Sequence, residues 1–230
     1  MIDIPPEAGQ ALALSLRVAT VAVLGAMIPA IAMAWVLARG RFPGKGLLDA
    51  AVHLPLVLPP VVTGYALLLL FSRAGPVGAI LEPMGLGLAF RWTGAALAAA
   101  VMAFPLMVRA VRQAIEAVDP KLEEAAATLG AGPWRVRATV TLPLAAPGLL
   151  AGAMLGFAKA FGEFGATITF VAAIPGETRT LPSAIYAFLQ VPGGAPGLRG
   201  LVAVAVLVAV GAVLASNWLA PRIAARVAGR

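Results

Sequence analysis

Long runs of apolar residues alternate with short polar stretches along this chain. A helix needs about 20 apolar residues to cross a bilayer. Backbone groups in lipid must hydrogen-bond within the segment, so helix is the expected state. The short alternating segments of a membrane barrel do not occur. The pattern predicts an all-α polytopic membrane protein with about five transmembrane helices: Val18–Leu37, about Ala50–Phe71, Trp92–Val108, Leu142–Phe161 and Leu201–Leu219.

One apolar stretch, from Phe164 to Ile174, is too short to span a bilayer alone. It is a short element folded back within the protein, the end of the fourth span, or part of a sixth helix, and the pattern leaves these alternatives open. Glycines at four-residue spacing mark a close-packing face on the fourth span. Prolines inside the spans remove backbone donors and bend their helices: Pro29, Pro55, Pro59, Pro60, Pro105, Pro143 and Pro147.

Composition agrees with this pattern. Only 12% of the 230 residues are charged, whereas soluble domains carry about a quarter, and the mean hydropathy is +0.95. The net charge of +7 does not indicate a nucleic-acid partner, because basic residues of membrane proteins gather on the cytoplasmic side. Eleven of the 17 Lys and Arg residues fall on one side of the predicted spans: Arg39, Arg41, Lys45, Arg109, Arg112, Lys121, Arg135, Arg137, Arg222, Arg226 and Arg230.

This asymmetry predicts a multi-pass protein whose N-terminus lies outside and whose C-terminus lies in the cytoplasm. An odd number of spans also requires the two termini to lie on opposite sides of the membrane. The chain has no cysteine and a single histidine, His53, so disulfides, iron–sulfur sites and multi-histidine metal sites are excluded. We therefore expect no metal site in this chain.

A cytoplasmic loop of about residues 109–141 carries an unusual segment, "EEAAATLGAGPWRVRATVTLP". Asp119 and a proline predict a helix start, and Gly130 predicts its end. Between them an apolar stripe repeats at helical spacing: Leu122, Ala125, Ala126 and Leu129. Such a short helix suits a groove on another protein. The alternative is an amphipathic helix on the membrane surface, which alanines and two glutamates disfavour.

The segment resembles the cytoplasmic signature of permease subunits of bacterial ABC importers. The match runs through Glu124-Ala125-Ala126, Gly130, Val140 and Leu142-Pro143, with valine where isoleucine is usual. In that family the segment is a coupling helix that docks on an ATPase subunit. The resemblance implies an ABC importer type I permease fold forming one transmembrane permease domain over residues 1–230. We assign the ATPase-coupling role to Glu123, Glu124, Ala125, Ala126, Leu129 and Gly130.

Three further segments resemble the molybdate importer permeases within that family: "RGRFPGKGLLDAAVHLPLVLPPVVTGYALLLLF", "GEFGATITF" and "PGETRTLPSAIY". Tungstate permeases and sulfate or thiosulfate permeases are the alternatives. The resemblance implies a bacterial inner membrane location. It implies as partners a second copy of the chain, two ATPase subunits and a periplasmic or extracellular oxyanion-binding protein.

No nucleotide-binding motif occurs in the chain. The string "PGKG" lacks the glycine-rich lead and the Ser or Thr of a phosphate-binding loop. We therefore expect no catalytic residue and no cofactor here, and expect ATP and Mg²⁺ on the partner ATPase. An ion-coupled secondary transporter would show internal repeats, and none is convincing. A purely structural membrane protein would leave the spacing of the loop motif unexplained.

The candidate translocation pathway lies around the end of the fourth span. Lys159 and Glu163 are four residues apart, within pairing distance on a helix, and charges at membrane depth are usually functional. Lys159 attracts the anion while Glu163 holds it or closes a gate, or the two form a pair that only fixes packing. Hydroxyls in membrane helices usually bond their own backbone. The remaining pathway or gate candidates are Thr63, Phe164, Gly165 and Thr167.

Overall fold

The computed structural model describes residues 7–191, 197–211 and 214, and every regular element within them is helical. A 3₁₀ turn covers Glu82–Met84, and a π-helical turn covers Arg137–Thr141. The helices are α1 (Glu7–Arg39), α2 (Lys45–Val57), α3 (Pro60–Phe71), α4 (Gly78–Leu81), α5 (Trp92–Glu116), α6 (Pro120–Thr128), α7 (Pro133–Val136), α8 (Leu142–Phe161), α9 (Gly165–Val171), α10 (Leu181–Leu189) and α11 (Gly197–Gly211).

Three helices in the described part of the chain are long and apolar enough to cross a membrane: α1, α5 and the continuous stretch Pro133–Phe161 that contains α8. The predicted starts of the third and fourth spans agree with α5 and α8. The first span is longer than predicted, because α1 begins at Glu7. The fifth predicted span begins within α11, but residues 212–213 and 215–219 lie outside the described residues, as do Arg222, Arg226 and Arg230.

The second predicted span, about Ala50–Phe71, is broken, and the predicted bending at its prolines is present. Two helices, α2 and α3, occupy this segment and are bent by 109° relative to each other. Leu58 and Pro59 between them are extended, with ψ of 142° and 133°. Two consecutive prolines cause the break, because each lacks a donor and disfavours helical geometry in the residue before it.

The core of the bundle is formed by α1, α5 and α8, which meet through small side chains. A Cβ added at Gly148 would contact Ala114, and one at Gly156 would come within 2.7 Å of Met107. Fully buried alanines, including Ala30, Ala95 and Ala99, line the other contacts. The predicted close-packing face of the fourth span is therefore confirmed.

The ambiguous stretch Phe164–Ile174 contains a separate short helix, α9, folded inside the protein. A break at Gly162–Phe164 separates it from α8, and Ala172 ends it with a φ of 60°. Its buried side chains pack against α3, where the rings of Phe170 and Phe71 lie 6.1 Å apart. Seven residues are too few to span a bilayer, so α9 contributes no crossing of its own.

Contacts at the two ends of α1 define two faces of the molecule. Near its start, Glu7 pairs with Arg179 at 3.0 Å. At its end, Arg39 pairs with Glu123 of α6 at 3.2 Å. A helix of 33 residues is about 50 Å long. The loop that carries α6 and the loop around Arg179 therefore lie on opposite sides of the bundle.

Candidate functional site

Helix α6 is a short, well-capped helix on one end of the bundle. The carboxylate of Asp119 accepts a hydrogen bond from the backbone N–H of Lys121 at 2.9 Å, and proline occupies the first turn. At the other end Gly130 has a φ of 84°. The N–H groups of Gly130 and Ala131 bond the carbonyls of Ala127 and Ala126, which is the Schellman arrangement. The predicted start and stop of this helix are confirmed.

No residue of α6 is buried. Most of the apolar stripe predicted from the sequence points away from the bundle. Leu122 is 49% and Leu129 88% exposed, and Ala125 is exposed as well, whereas Ala126 is half-buried. Trp134 at the start of the next helix is 77% exposed. The described residues of the chain leave this apolar face uncovered.

The two neighbouring glutamates of α6 have different surroundings. The Oε1 atom of Glu123 accepts hydrogen bonds from Arg39 at 3.2 Å and from Thr141 at 2.7 Å. Glu124 is exposed and makes no hydrogen bond or ion pair within the described part of the chain. Both glutamates line an open cavity of about 380 Å³ together with Trp35 and Arg137. Only one of the two carboxylates is therefore free for a partner.

Arginine–aromatic contacts fix the segment after α6. The guanidinium of Arg137 lies 4.6 Å from the ring centre of Trp134 and 4.9 Å from that of Trp35 on α1. Both separations are within the range of cation–π attraction. These contacts hold the turn between α6 and α8 against the end of α1.

A second cluster forms where the first turns of α3 and α9 meet. A Cβ on Gly165 would come within 2.7 Å of Pro60, and one on Gly64 would clash with the backbone of Ala166. Thr63 lies in the same turn of α3 and is 7% exposed, yet its hydroxyl has no hydrogen-bond partner. The hydroxyl of Thr63 therefore departs from the expectation that hydroxyls in these helices bond their own backbone.

The predicted pair of Lys159 and Glu163 is present. Lys159 Nζ lies 2.6 Å from Glu163 Oε2, and the Glu163 side chain is only 2% exposed. The other carboxylate oxygen of Glu163 accepts the backbone N–H of Ala166 in the first turn of α9 at 3.0 Å. Glu163 therefore connects the end of α8 to the start of α9.

The remaining candidates lie beside this pair. The hydroxyl of Thr167 bonds the carbonyl of Glu163 at 3.1 Å, as expected for a hydroxyl in a membrane helix. Phe164 packs against Tyr186 of α10, with ring centres 5.0 Å apart. Five of the six candidate pathway residues thus lie in the last turn of α8, the break after it or the first turn of α9. The sixth, Thr63, lies in the first turn of α3, against which α9 packs.

Sequence reasoning missed the residues that hold α6 to the bundle, namely Arg39, Thr141, Trp35 and Arg137. Arg39 and Arg137 fit the general rule for cytoplasmic cations, so their sequence context gave no sign of a specific contact. Arg39 lies 84 residues from Glu123 in the chain. Only the fold brings them together.

We expect Gly64→Ala to disrupt the junction of α3 and α9. The added methyl would lie 2.8 Å from the Cα of Ala166, where backbone cannot yield as a side chain can, and overpacking costs about 1–3 kcal/mol. Thermal denaturation in detergent measures the effect. Gly25→Ala is the matched control because a Cβ there meets nothing within 4 Å. Equal melting temperatures for the two variants would refute this close approach.

Comparison with known proteins agrees with the helical architecture. The sequence model of binding-protein-dependent transport system inner membrane components matches residues 15–229. The chain belongs to this family. The predicted resemblance to ABC importer permeases is thereby confirmed.

Among characterised relatives, the molybdenum transport system permease protein ModB of Escherichia coli K12 is 56% identical over 231 residues, covering 100% of both chains. ModB of Haemophilus influenzae is 52% identical and covers 92% of this chain and 93% of its own length. The crystal structure of a bacterial ABC transporter that imports alginate aligns with a TM-score of 0.72 at 19% identity, over 95% of this chain and 80% of that one. The chain therefore has the fold of an ABC importer permease.

Proposed function

We propose that this chain is the permease subunit of an ATP-driven importer and forms the transmembrane pathway for molybdate. The observation that carries the transport mechanism is the uncovered apolar face of α6, a helix held rigidly to the bundle. The substrate follows from relatives named as molybdenum permeases that match the chain end to end. Tungstate and sulfate are the alternatives.

The partner at α6 is a separate ATPase subunit, which holds ATP and Mg²⁺. The exposed stripe of Leu122, Ala125 and Leu129 enters a groove on that subunit, as amphipathic helices do in other complexes. Glu124 faces a cavity and has no partner in the described residues, so a basic group of the ATPase fits against it. Ala126 adds a small side chain in the middle of the docking face, and Gly130 ends the helix.

The pathway forms between two copies of the chain. Support comes from α3, whose outer face remains apolar and exposed at Val61, Val62, Tyr65 and Leu69, between 47% and 55%. The opposite face of α3 packs on α9. Two such faces opposed across a symmetry axis would enclose a route that begins near Thr63 and the pair of Lys159 and Glu163.

The orientation follows from the charge asymmetry and the two faces of the molecule. The loop with α6 faces the cytoplasm, where ATPase subunits reside. The face around Arg179, which α1 separates from α6 by about 50 Å, receives the anion from an external binding protein. The N-terminus is then outside and the C-terminus cytoplasmic.

Transport proceeds by alternating access. ATP binding closes the ATPase pair and draws the two α6 helices together, and the bundles then open outward. ATP shifts this equilibrium only by its differential affinity for the two states. Rigid-body movement of packed units is the usual form of such transitions.

The test is uptake by a reconstituted complex in lipid vesicles. The permease should co-purify with an ATPase, and radiolabelled molybdate should accumulate only when ATP and the external binding protein are supplied. Excess tungstate and sulfate are added separately as competitors, and the anion that competes best identifies the substrate class. Accumulation driven by an ion gradient without ATP would contradict the proposal in favour of a secondary transporter.

A further inference from the structure

A single carboxylate oxygen joins α6 to the membrane helices. Oε1 of Glu123 accepts hydrogen bonds from Arg39, the last residue of α1, and from Thr141, the residue before α8. The same Arg39 nitrogen donates to the carbonyl of Val118, just after α5, at 3.0 Å. We name these four residues the Glu123 junction. The cytoplasmic ends of the three long helices therefore meet at the ion pair of Arg39 and Glu123.

The Glu123 junction is partly buried. Thr141 is fully buried, and the side chains of Arg39 and Glu123 are 22% and 20% exposed. In the described part of the chain, Glu123 is the only side chain of α6 that hydrogen-bonds another helix. Hydrogen bonds to ionised groups are stronger than neutral ones. Without the junction, α6 would be attached mainly through the turns at its two ends.

We propose that Glu123 is a positioning residue that transmits the displacement of α6 to α1 and α8 and does not itself contact the ATPase. This inference rests on the proposed function. Both glutamates line the same cavity, but Glu124 is exposed and has no partner among the described residues, whereas Oε1 of Glu123 already accepts two hydrogen bonds within the chain. Of the two adjacent carboxylates, Glu124 therefore contacts the ATPase and Glu123 transmits the displacement of α6.

The prediction for Glu123→Gln separates these roles. Because the docking face is intact, the complex should assemble and hydrolyse ATP. The uncharged amide oxygen accepts weaker hydrogen bonds than the carboxylate does, so the displacement of α6 should reach the spans less efficiently. Molybdate transported per ATP hydrolysed should fall about 2- to 30-fold, the range for residues that carry coupling. Glu124→Gln should instead weaken co-purification with the ATPase. The readouts are pull-down yield, ATPase rate and uptake in the same vesicles.

Two controls keep the test decisive. Glu116→Gln breaks an ion pair of 2.8 Å with Arg112 that lies outside the junction, and its transport per ATP should equal that of the natural chain. If Glu123→Gln fails to assemble, Thr141→Val is tested in its place, because it removes the hydrogen bond to Glu123 with little change in side-chain volume. Thr141→Ser is its control, because serine keeps the hydroxyl. Thr141→Val should lower transport per ATP and Thr141→Ser should not.

A normal ratio of transport to hydrolysis in Glu123→Gln, or in Thr141→Val where the first variant does not assemble, overturns the inference. Loss of ATPase binding in Glu123→Gln with Thr141→Val normal would overturn it as well, since Glu123 would then be a docking residue. Failure of the natural chain to bind an ATPase or to use ATP would instead refute the proposed function. The two failures are therefore distinguishable.

Discussion

Replacing Ala125 with arginine should release the ATPase from the permease without unfolding the permease. Ala125 lies in the middle of the apolar stripe of α6 and is exposed. Arginine is accepted in a helix, so α6 itself should persist. A large cation in the centre of a docking surface should cost at least about 2 kcal/mol, or roughly 30-fold in affinity.

The measurement is the yield of ATPase that co-purifies with the tagged permease, together with the melting temperature of the permease alone. Ala117→Arg is the matched control, since Ala117 is also exposed and lies in the turn before α6. It should retain the partner. Equal ATPase yields from the two variants would show that the stripe of α6 is not the docking face.

Replacing Lys159 with methionine should abolish molybdate uptake and lower the stability of the permease. The buried carboxylate of Glu163 would lose its ion pair at 2.6 Å and keep only the N–H of Ala166. Breaking a fully buried pair costs about 3–5 kcal/mol. The cost here should be smaller, because Lys159 is 30% exposed.

A double variant separates the functional role of Lys159 from its structural role. Lys159→Met with Glu163→Gln removes both charges and keeps an acceptor for Ala166, so the melting temperature should recover much of the loss. Uptake should stay absent, because the cation that attracts the anion is missing. If uptake recovers together with the melting temperature, the pair of Lys159 and Glu163 only fixes helix packing.

The ends of several helices were predictable because local chemistry determines them. Asp119 and Pro120 begin α6 and Gly130 ends it, and the structure shows the hydrogen bonds that Asp119 and Gly130 imply. The close-packing glycines of α8 were readable for the same reason, since four-residue spacing puts them on one face. Such features depend on neighbours in sequence.

The geometry of the break between α2 and α3 could not be predicted from neighbours in sequence. The paired prolines announce a distortion, but they do not determine its size. Across the 109° bend, α3 packs on α9, a segment about 100 residues further along the chain whose own state was ambiguous. Hydropathy alone treats such a segment as one span because both halves are apolar.

Some features of the candidate functional residues were likewise predictable from the sequence, and others depend on the fold. A helical stripe shows which face of α6 is apolar, so the exposed apolar face was predictable. The different surroundings of Glu123 and Glu124 depend on Arg39 and Thr141, which only the fold places beside Glu123. The unpartnered hydroxyl of Thr63 was likewise unpredictable, because helix backbones usually supply a partner.

Crosslinking from a single cysteine tests most directly whether α6 is held by a separate ATPase. The natural chain has no cysteine, so Leu129→Cys, at a position 88% exposed, can carry one photoreactive group in the transporting complex. Illumination should join it to the ATPase, while Glu177→Cys, an exposed position on the opposite face, should not. Adducts only with lipid at Leu129, in a complex that still imports molybdate with ATP, would contradict this account.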